Sequence, residues 1–381
     1  MVPASLEGYR ELARRRLPRF LFNYIEGGSF AGATLARNVD DLRDVTLRQR
    51  VLRDVSSVDL SVRLFGEDFA LPVGLGPVGL AGMCARRGEV QALRAAQAAG
   101  VPFCLSTVSL CPLEEVARAA GRPFWFQLYM ARDRAFVRDM LARADAAGCS
   151  VLLLTVDLAV PGVRNRTGGA SLGTPGIGGD LARVAEAMLR PGWAVDVGLR
   201  GGPHGLGNIA STLGPKASLG DFMGWIRRNF DPAVTWSDID FIRAHWKGPV
   251  VLKGILDADD AREAVKAGVD GIVVSNHGGR QLDGAPSTAR ALPAIVEAVG
   301  SQIMVLADGG VRSGLDVVRM LALGAHGVLL GRAWAYALAG DGGPGVAHAL
   351  SIIENEMRTA MALMGVTHVE QVRQEGRAVE S

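Results

Sequence analysis

From residue 71 onward the chain alternates short apolar runs with amphipathic stretches. The apolar runs are Leu71–Pro77, Phe103–Ser106, Phe124–Tyr129, Val151–Asp157, Pro249–Ile255, Gly271–Asn276, Ile303–Gly309 and Gly327–Arg332. They are short and apolar with little alternation, the pattern of parallel strands buried on both faces. Between them, apolar positions recur at helical spacing over Glu89–Ala99, Leu113–Ala120, Arg134–Ala147, Ser237–Trp246, Ala258–Ala267, Thr288–Val299 and Gly314–Leu323. Eight strands, each followed by a helix, over roughly 260 residues predict an α/β protein of the (β/α)8 TIM-barrel class. A doubly wound open sheet is the alternative; it would more often bring fewer strands and an early G-x-G-x-x-G turn.

The flanking segments follow other rhythms. Residues 5–27 predict two short helices, one carrying Leu6, Tyr9 and Leu12, the other opening at Pro18 and ending at Gly27-Gly28. Residues 40–70 read as short, partly strand-like pieces. Residues 343–364 predict a further helix with Ile352, Ile353, Met357 and Met361 on one face. Residues 158–235 break the alternation with a long glycine-rich insert, within which Asp180–Arg190 and Phe222–Asn229 predict short helices. The expectation is a single domain over 1–381: an extension (1–70), a barrel with its insert (71–340), and a C-terminal helix and tail (341–381).

Composition narrows the function classes. A net charge of +2 argues against a dedicated nucleic-acid binder. The four cysteines, Cys84, Cys104, Cys111 and Cys149, show no metal-type pairing, so no metal is expected. Buried thiols suit a reducing cytoplasm. No apolar stretch reaches the roughly 18–20 residues of a spanning helix.

The chemistry gathers where the predicted strands end. Barrel strands converge their C-termini on one face, and the polar residues there are Ser106, Gln127, Tyr129, Thr155, Asp157, Lys253, Ser275, His277, Arg280, Asp308, Arg312 and Arg332. The stretch Ser275–Gly284 places His277 and Arg280 three residues apart, separated by Gly278-Gly279. An imidazole moves protons near neutral pH, and a guanidinium grips a planar carboxylate with two parallel hydrogen bonds. Lys253 ends an apolar strand and demands a partner. Asp308-Gly309-Gly310-Val311-Arg312 and Gly331-Arg332 close the seventh and eighth strands, where barrels bind phosphate. A base, a carboxylate clamp and a phosphate site together describe a flavin oxidoreductase better than a hydrolase.

Ser275–Gly284 resembles the signature of the FMN-dependent α-hydroxy acid dehydrogenases and oxidases. The resemblance extends through Phe22–Gly28, Gly76–Gly79, Leu105–Thr107, Trp125–Tyr129, Thr155–Asp157 and Asp308–Gly310. Leu47–Arg50, Ala85–Gln91 and Asn229–Pro232 are similar to the bacterial respiratory L-lactate dehydrogenase branch in particular. The resemblance implies FMN across the strand ends. Pro77, Val78 and Gly79 would meet the flavin through backbone, with Ser106, Gln127, Thr155 and Ser275 beside it. Lys253 would face its N1 and carbonyl. Asp308, Gly309, Gly310, Arg312, Gly331 and Arg332 would hold the ribityl phosphate. Tyr24, Tyr129, Arg164 and Arg280 would hold the substrate, and His277, paired with Asp157, would be the base. Arg166 competes with Arg164 for its role. Val108, on the side-chain pocket, favours a short substrate side chain such as methyl.

The resemblance thus implies oxidation of an L-2-hydroxy acid, L-lactate first, with electrons passing to a quinone or another non-oxygen acceptor. The alternatives are a peroxide-forming 2-hydroxy acid oxidase and a mandelate-type dehydrogenase. A homo-oligomer, a tetramer, is expected. The insert carries Trp193, Phe222, Met223, Trp225 and Ile226 beside Arg190, Arg200, Arg227 and Arg228. That mixture suits either a lid or peripheral contact with the inner face of the cell membrane.

Overall fold

The computed structural model describes residues 2–164, 177–201, 207–214 and 219–377. The chain opens with three helices: α1 (Leu6–Arg16), α2 (Arg19–Glu26) and α3 (Ala33–Arg43). A hairpin follows, of β1 (Val62–Leu64) and β2 (Glu67–Phe69). The barrel strands are β3 (Val73–Leu75), β4 (Cys104–Ser106), β5 (Phe124–Tyr129), β6 (Cys149–Thr155), β7 (Val250–Ile255), β8 (Gly271–Val274), β9 (Met304–Asp308) and β10 (Gly327–Leu330). All pair in parallel, in the order β3-β10-β9-β8-β7-β6-β5-β4. A parallel bridge from Leu75 to Phe103 brings the first strand back to the second. The fold is therefore the (β/α)8 barrel, and the open sheet is excluded.

Strand periodicity explains why the chemistry sits at one end. Successive side chains on a strand face opposite sides. Cys104, Trp125, Val151, Leu153, Val251, Val273, Leu306 and Leu329 fill the barrel interior. Two residues farther along their strands come Ser106, Gln127, Thr155, Lys253, Ser275 and Asp308. These side chains face the same interior one layer higher, at the C-terminal mouth. The opposite mouth is plugged by the hairpin: Phe65 and Phe69 meet the Trp125 ring edge-to-face, with centroids 5.6 and 6.0 Å apart.

The flanks differ from expectation in three places. Helix α3 lies in a segment for which the sequence pattern predicts no helix. The C-terminal helix runs back to Arg332, because the helix after β10 and the expected terminal helix abut at Asp341 and Gly342, whose backbone is non-helical. The insert holds helices at Ile177–Met188 and Leu219–Asn229, each starting about one turn earlier than expected.

The insert is pinned to the barrel rather than standing off it. Asn208 accepts from Leu113 N at 2.8 Å and donates to Ser109 Oγ at 3.1 Å. Asp196 pairs with Arg16 at 3.0 Å. Trp193 is buried: its Nε1 donates to Met83 O at 2.7 Å and its ring abuts Phe20. Trp225 is also buried, edge-on to Phe136 at 5.2 Å and near Phe230 at 6.3 Å. Neither tryptophan can insert into a bilayer without unpacking the insert, so of the two alternatives, lid or membrane contact, these two side chains take the packed one.

Candidate active site

The barrel mouth opens into a cavity of about 520 Å³. Its walls come from the end of α2, the β3 and β6 ends, the loop after β8, the glycine turns after β9 and β10, and the second insert helix. Of the residues expected from sequence, Tyr24, Pro77, Val78, Gly79, Tyr129, Thr155, Arg164, Lys253, His277, Arg280, Asp308, Gly309, Gly310, Arg312, Gly331 and Arg332 all line it. Ser106, Gln127, Ser275 and Asp157 do not; they sit directly behind the wall. Arg166 lies outside the described residues.

The residues behind the wall hold those in front. His277 Nδ1 lies 2.8 Å from Asp157 Oδ1. A carboxylate accepts, so Nδ1 carries the hydrogen of this bond, and in the neutral imidazole Nε2 is then the nitrogen with the free lone pair. Burial alone would push the Asp157 carboxyl up, but His277 and then Lys253 outweigh it and hold it below the usual carboxylate range. Lys253 Nζ reaches Ser275 Oγ and Asp308 Oδ2, both at 2.8 Å. Burial pushes this ammonium down, yet Asp308 and Asp157 prevail and it ends above its ordinary value, a firm cation. Ser106 Oγ donates to Gln127 Oε1 at 2.9 Å. The Tyr129 phenol is pushed up by burial and by Asp157, so it stays a donor.

The backbone of the signature loop is unusual. His277, Gly278 and Gly279 all have positive φ, at 57°, 62° and 71°. Glycine adopts this freely; a histidine does so only where its surroundings fix it.

Five arginines line the cavity: Arg164, Arg227, Arg280, Arg312 and Arg332. Arg280 Nη1 donates to Tyr24 O at 2.7 Å and Gly27 O at 2.9 Å, with its guanidinium 5.0 Å from the Tyr24 ring centre. Arg312 stands 6.0 Å from the Tyr336 ring centre. Arg332 departs from its expected part as a phosphate ligand in one respect. Its Nε, Nη1 and Nη2 donate to Ile25 O, Gly278 O and Gly27 O at 2.8, 2.9 and 2.9 Å, strapping the end of α2 to the signature loop. Burial and then Arg280 press Arg164 down to about 9, and burial, Arg280 and Arg312 do the same to Arg332. Both remain cations at neutral pH. Such crowding of like charge is relieved by anions, and a carboxylate and a phosphate would supply two.

Sequence reasoning offered a lid as one alternative but gave no cavity role to Ile226 or Phe230, and it missed a latch. Ile226 and Phe230 of the insert line the cavity, and Phe230 lies 4.7 Å from Tyr129, ring to ring. Gln281 Nε2 donates to Asp157 O at 2.8 Å and Val160 O at 3.1 Å, and its Oε1 accepts from Gly162 N at 3.1 Å. It ties the start of the insert to the signature loop. Its position directly after Arg280 was the available signal.

The model of one family, described as FMN-dependent dehydrogenase, matches residues 13–378. The chain belongs to this family. The L-lactate dehydrogenase of Caulobacter sp. (strain K31) is 62% identical over 372 residues, covering 98% of this chain and 97% of the relative. That of Alcaligenes faecalis is 58% identical over 375 residues, covering 98% of each. Among solved structures, the monotopic membrane protein (S)-mandelate dehydrogenase superposes with TM-score 0.89 at 33% identity, covering 98% of this chain and 99% of that one. A mandelate oxidase with (S)-4-hydroxymandelic acid gives TM-score 0.83 at 39% identity, covering 98% of both.

The site fits the family's FMN. Asp308 Oδ1 and Gln127 Nε2 are buried polar atoms with no partner in the chain. A Cβ at Gly331 would meet nothing within 4 Å, so a group can approach that backbone closely. Arg312 stands beside it on the cavity wall. The chromophore released by heat is expected to have the mass of FMN. FAD, or no chromophore, would reject this reading of the site.

Proposed function

We propose that this chain oxidises L-lactate to pyruvate and passes the electrons to a membrane quinone. The observation that carries the reading is His277, backed by Asp157 at 2.8 Å, lining the same cavity as Arg164 and Arg280. A base poised beside a carboxylate clamp suits a 2-hydroxy acid. Full-length relatives at 58–62% identity carry the name L-lactate dehydrogenase, which favours lactate within that class.

In this reading Arg280 and Arg164 grip the substrate carboxylate. His277 Nε2 takes a proton from the reacting carbon or its hydroxyl, and Asp157 stabilises the imidazolium that forms. Tyr24 and Tyr129 orient the hydroxyl. Val108, Leu158 and Ile226 border the space left for the side chain. Lys253, Asp308, Gly309, Gly310 and Arg312 would hold FMN, which, when bound, would accept the two electrons of the oxidation. The roof formed by Ile226 and Phe230 limits water. The test is anaerobic flavin bleaching across a series of 2-hydroxy acids, followed by reoxidation with oxygen or a quinone. Fastest bleaching by L-lactate with rapid quinone reoxidation supports the reading. The mandelate-named structures favour a second one: preference for an aromatic acid, or fast peroxide formation, would put it in place of the first.

Contact with the inner face of the cell membrane belongs to this proposal, but through a different surface from the one the tryptophans suggest. Leu181, Val184, Met188, Leu189 and Leu199 are 57–79% exposed on the insert. Arg227 and Arg228 are exposed on its second long helix. Exposed apolar side chains and exposed cations on one insert suit an anionic bilayer, where the quinone resides. Among the described residues no helix is long and apolar enough to cross a membrane. Co-sedimentation with anionic vesicles at low salt is expected. It should weaken with added salt and with Met188→Glu plus Leu189→Glu, while lactate-driven bleaching in solution continues. No sedimentation of the wild type would reject the membrane contact.

A further inference from the structure

The geometry points to Asn38, on helix α3, as a positioning residue that holds the His277 loop in its left-handed conformation through Asn276. The inference deepens the proposed role of His277 and rests on that reading.

Three observations converge on α3. The first is a reciprocal amide pair. Asn38 Nδ2 donates to Asn276 Oδ1 at 2.8 Å, and Asn276 Nδ2 donates back to Asn38 Oδ1 at 2.7 Å. Both residues are buried. Asn276 immediately precedes His277, and its Oδ1 also accepts from Gly279 N at 3.0 Å, across the turn that carries the base. Two complementary hydrogen bonds in a buried site fix the plane of the Asn276 amide, and so the atom that closes the turn.

The second is the fit of backbone on backbone. A Cβ at Gly279 would lie 2.6 Å from Leu35 Cα, and one at Gly310 would collide with Asn38 O. These glycines therefore make room for α3, whatever else they do. The helix is wedged between the base loop and the turn after β9.

The third is a second set of ties farther along the same loop. Asp283 Oδ1 accepts from Thr34 N at 2.8 Å, and its Oδ2 from Ala31 N and Gly32 N at 3.1 Å each. Thr34 Oγ1 donates to Ala285 O at 3.0 Å and accepts from Gly284 N at 2.9 Å. Ser29 N donates to Gly279 O at 2.9 Å. The signature loop thus caps α3, and α3 braces the loop at both its ends. A positive φ at His277 persists only where its surroundings fix it, and α3 is the outer half of those surroundings.

The test uses the full-length holoenzyme. Asn38→Ala is expected to slow flavin reduction at saturating substrate by roughly 10–10²-fold, the scale of a misplacement of about 1 Å. Asn276→Ala should do the same, and the double variant should lose no more than either single one, because the pair acts as a unit. Asn38→Asp keeps the acceptor for Asn276 Nδ2 but loses the donor, and should fall between; it decides the matter if Asn38→Ala does not fold. An independent readout is the downfield proton resonance of the His277 Nδ1–H, assigned by its loss in His277→Ala. It should broaden or vanish in Asn38→Ala. Wild-type rate and an intact resonance in the folded Asn38 variant, even with a lowered Tm, would overturn the inference and leave Asn38 merely structural. If no 2-hydroxy acid bleaches the wild type while the resonance still disappears in Asn38→Ala, the proposed function fails and the brace stands.

Discussion

Replacing His277 by alanine should leave a yellow protein that 2-hydroxy acids no longer bleach. The loss in reduction rate should be 10²-fold at least, and about 10⁴-fold if proton removal is fully rate-limiting. Flavin should stay bound, because Lys253 is held by Ser275 and Asp308, and Arg312 lines the cavity, without using the imidazole. The imidazole's hydrogen bond goes to Asp157 at 2.8 Å. The same variant has a signature in stability. The folded-state pKa of Asp157 is depressed, so its ionisation stabilises the fold above the unfolded carboxylate range and ceases to do so as pH falls through the folded value. Removing His277 takes away the strongest influence that offsets burial. The variant should therefore melt well below the wild type at neutral pH, and the gap in Tm should narrow as pH drops below about 4. Thermal melts across pH, beside anaerobic stopped-flow reduction, check both parts. Wild-type reduction by His277→Ala would remove the base from the mechanism.

Much of this site was legible because of where strand periodicity places polar residues. A parallel barrel strand is apolar on both faces until it reaches the mouth, so a lysine after Val250-Val251-Leu252, or an aspartate after Met304–Ala307, stands out at once. Every expected barrel strand therefore overlaps an observed one. Helix α3 was not legible for the converse reason. Its buried positions are Thr34, Asn38 and Leu42, and two of these three are polar. They bond to loops hundreds of residues away in sequence, so no apolar periodicity marks the helix. The insert left a choice open for another reason. Trp225 beside Arg227 and Arg228 reads equally as a lid or a membrane surface, because which face is covered depends on Phe136, some ninety residues earlier. Arg332 shows the limit of motif reasoning. A glycine-arginine pair after the eighth strand suggests phosphate, while this guanidinium also ties together three carbonyls that no local pattern reveals.

Arg280→Lys should damage the enzyme far more than the conserved charge suggests. The guanidinium does two things that an ammonium cannot do at once. It presents a flat fork to a carboxylate, and it ties the Tyr24 and Gly27 carbonyls through Nη1 while lying over the Tyr24 ring. A lysine reaching the carboxylate would release the end of α2, and one capping the helix would abandon the substrate. Losing one charge-assisted hydrogen bond while freeing Tyr24 corresponds to about 3 kcal/mol, or roughly a 10²-fold fall in kcat/KM. KM should rise through the lost clamp, and kcat should fall through the displaced Tyr24. That split separates this variant from His277→Ala, whose effect falls on the reduction step. Steady-state kinetics with L-lactate, alongside product-analogue binding followed by flavin absorbance, measures the two parts. An unchanged kcat/KM would hand the carboxylate to Arg164 and leave Arg280 as a helix strap alone. The crowding of Arg164 by Arg280 makes a sharper version of the test: with the guanidinium at position 280 gone, repulsion on Arg164 falls, so any residual binding in Arg280→Ala should depend on Arg164 entirely. Adding Arg164→Ala to that background should then abolish substrate binding while the flavin spectrum remains.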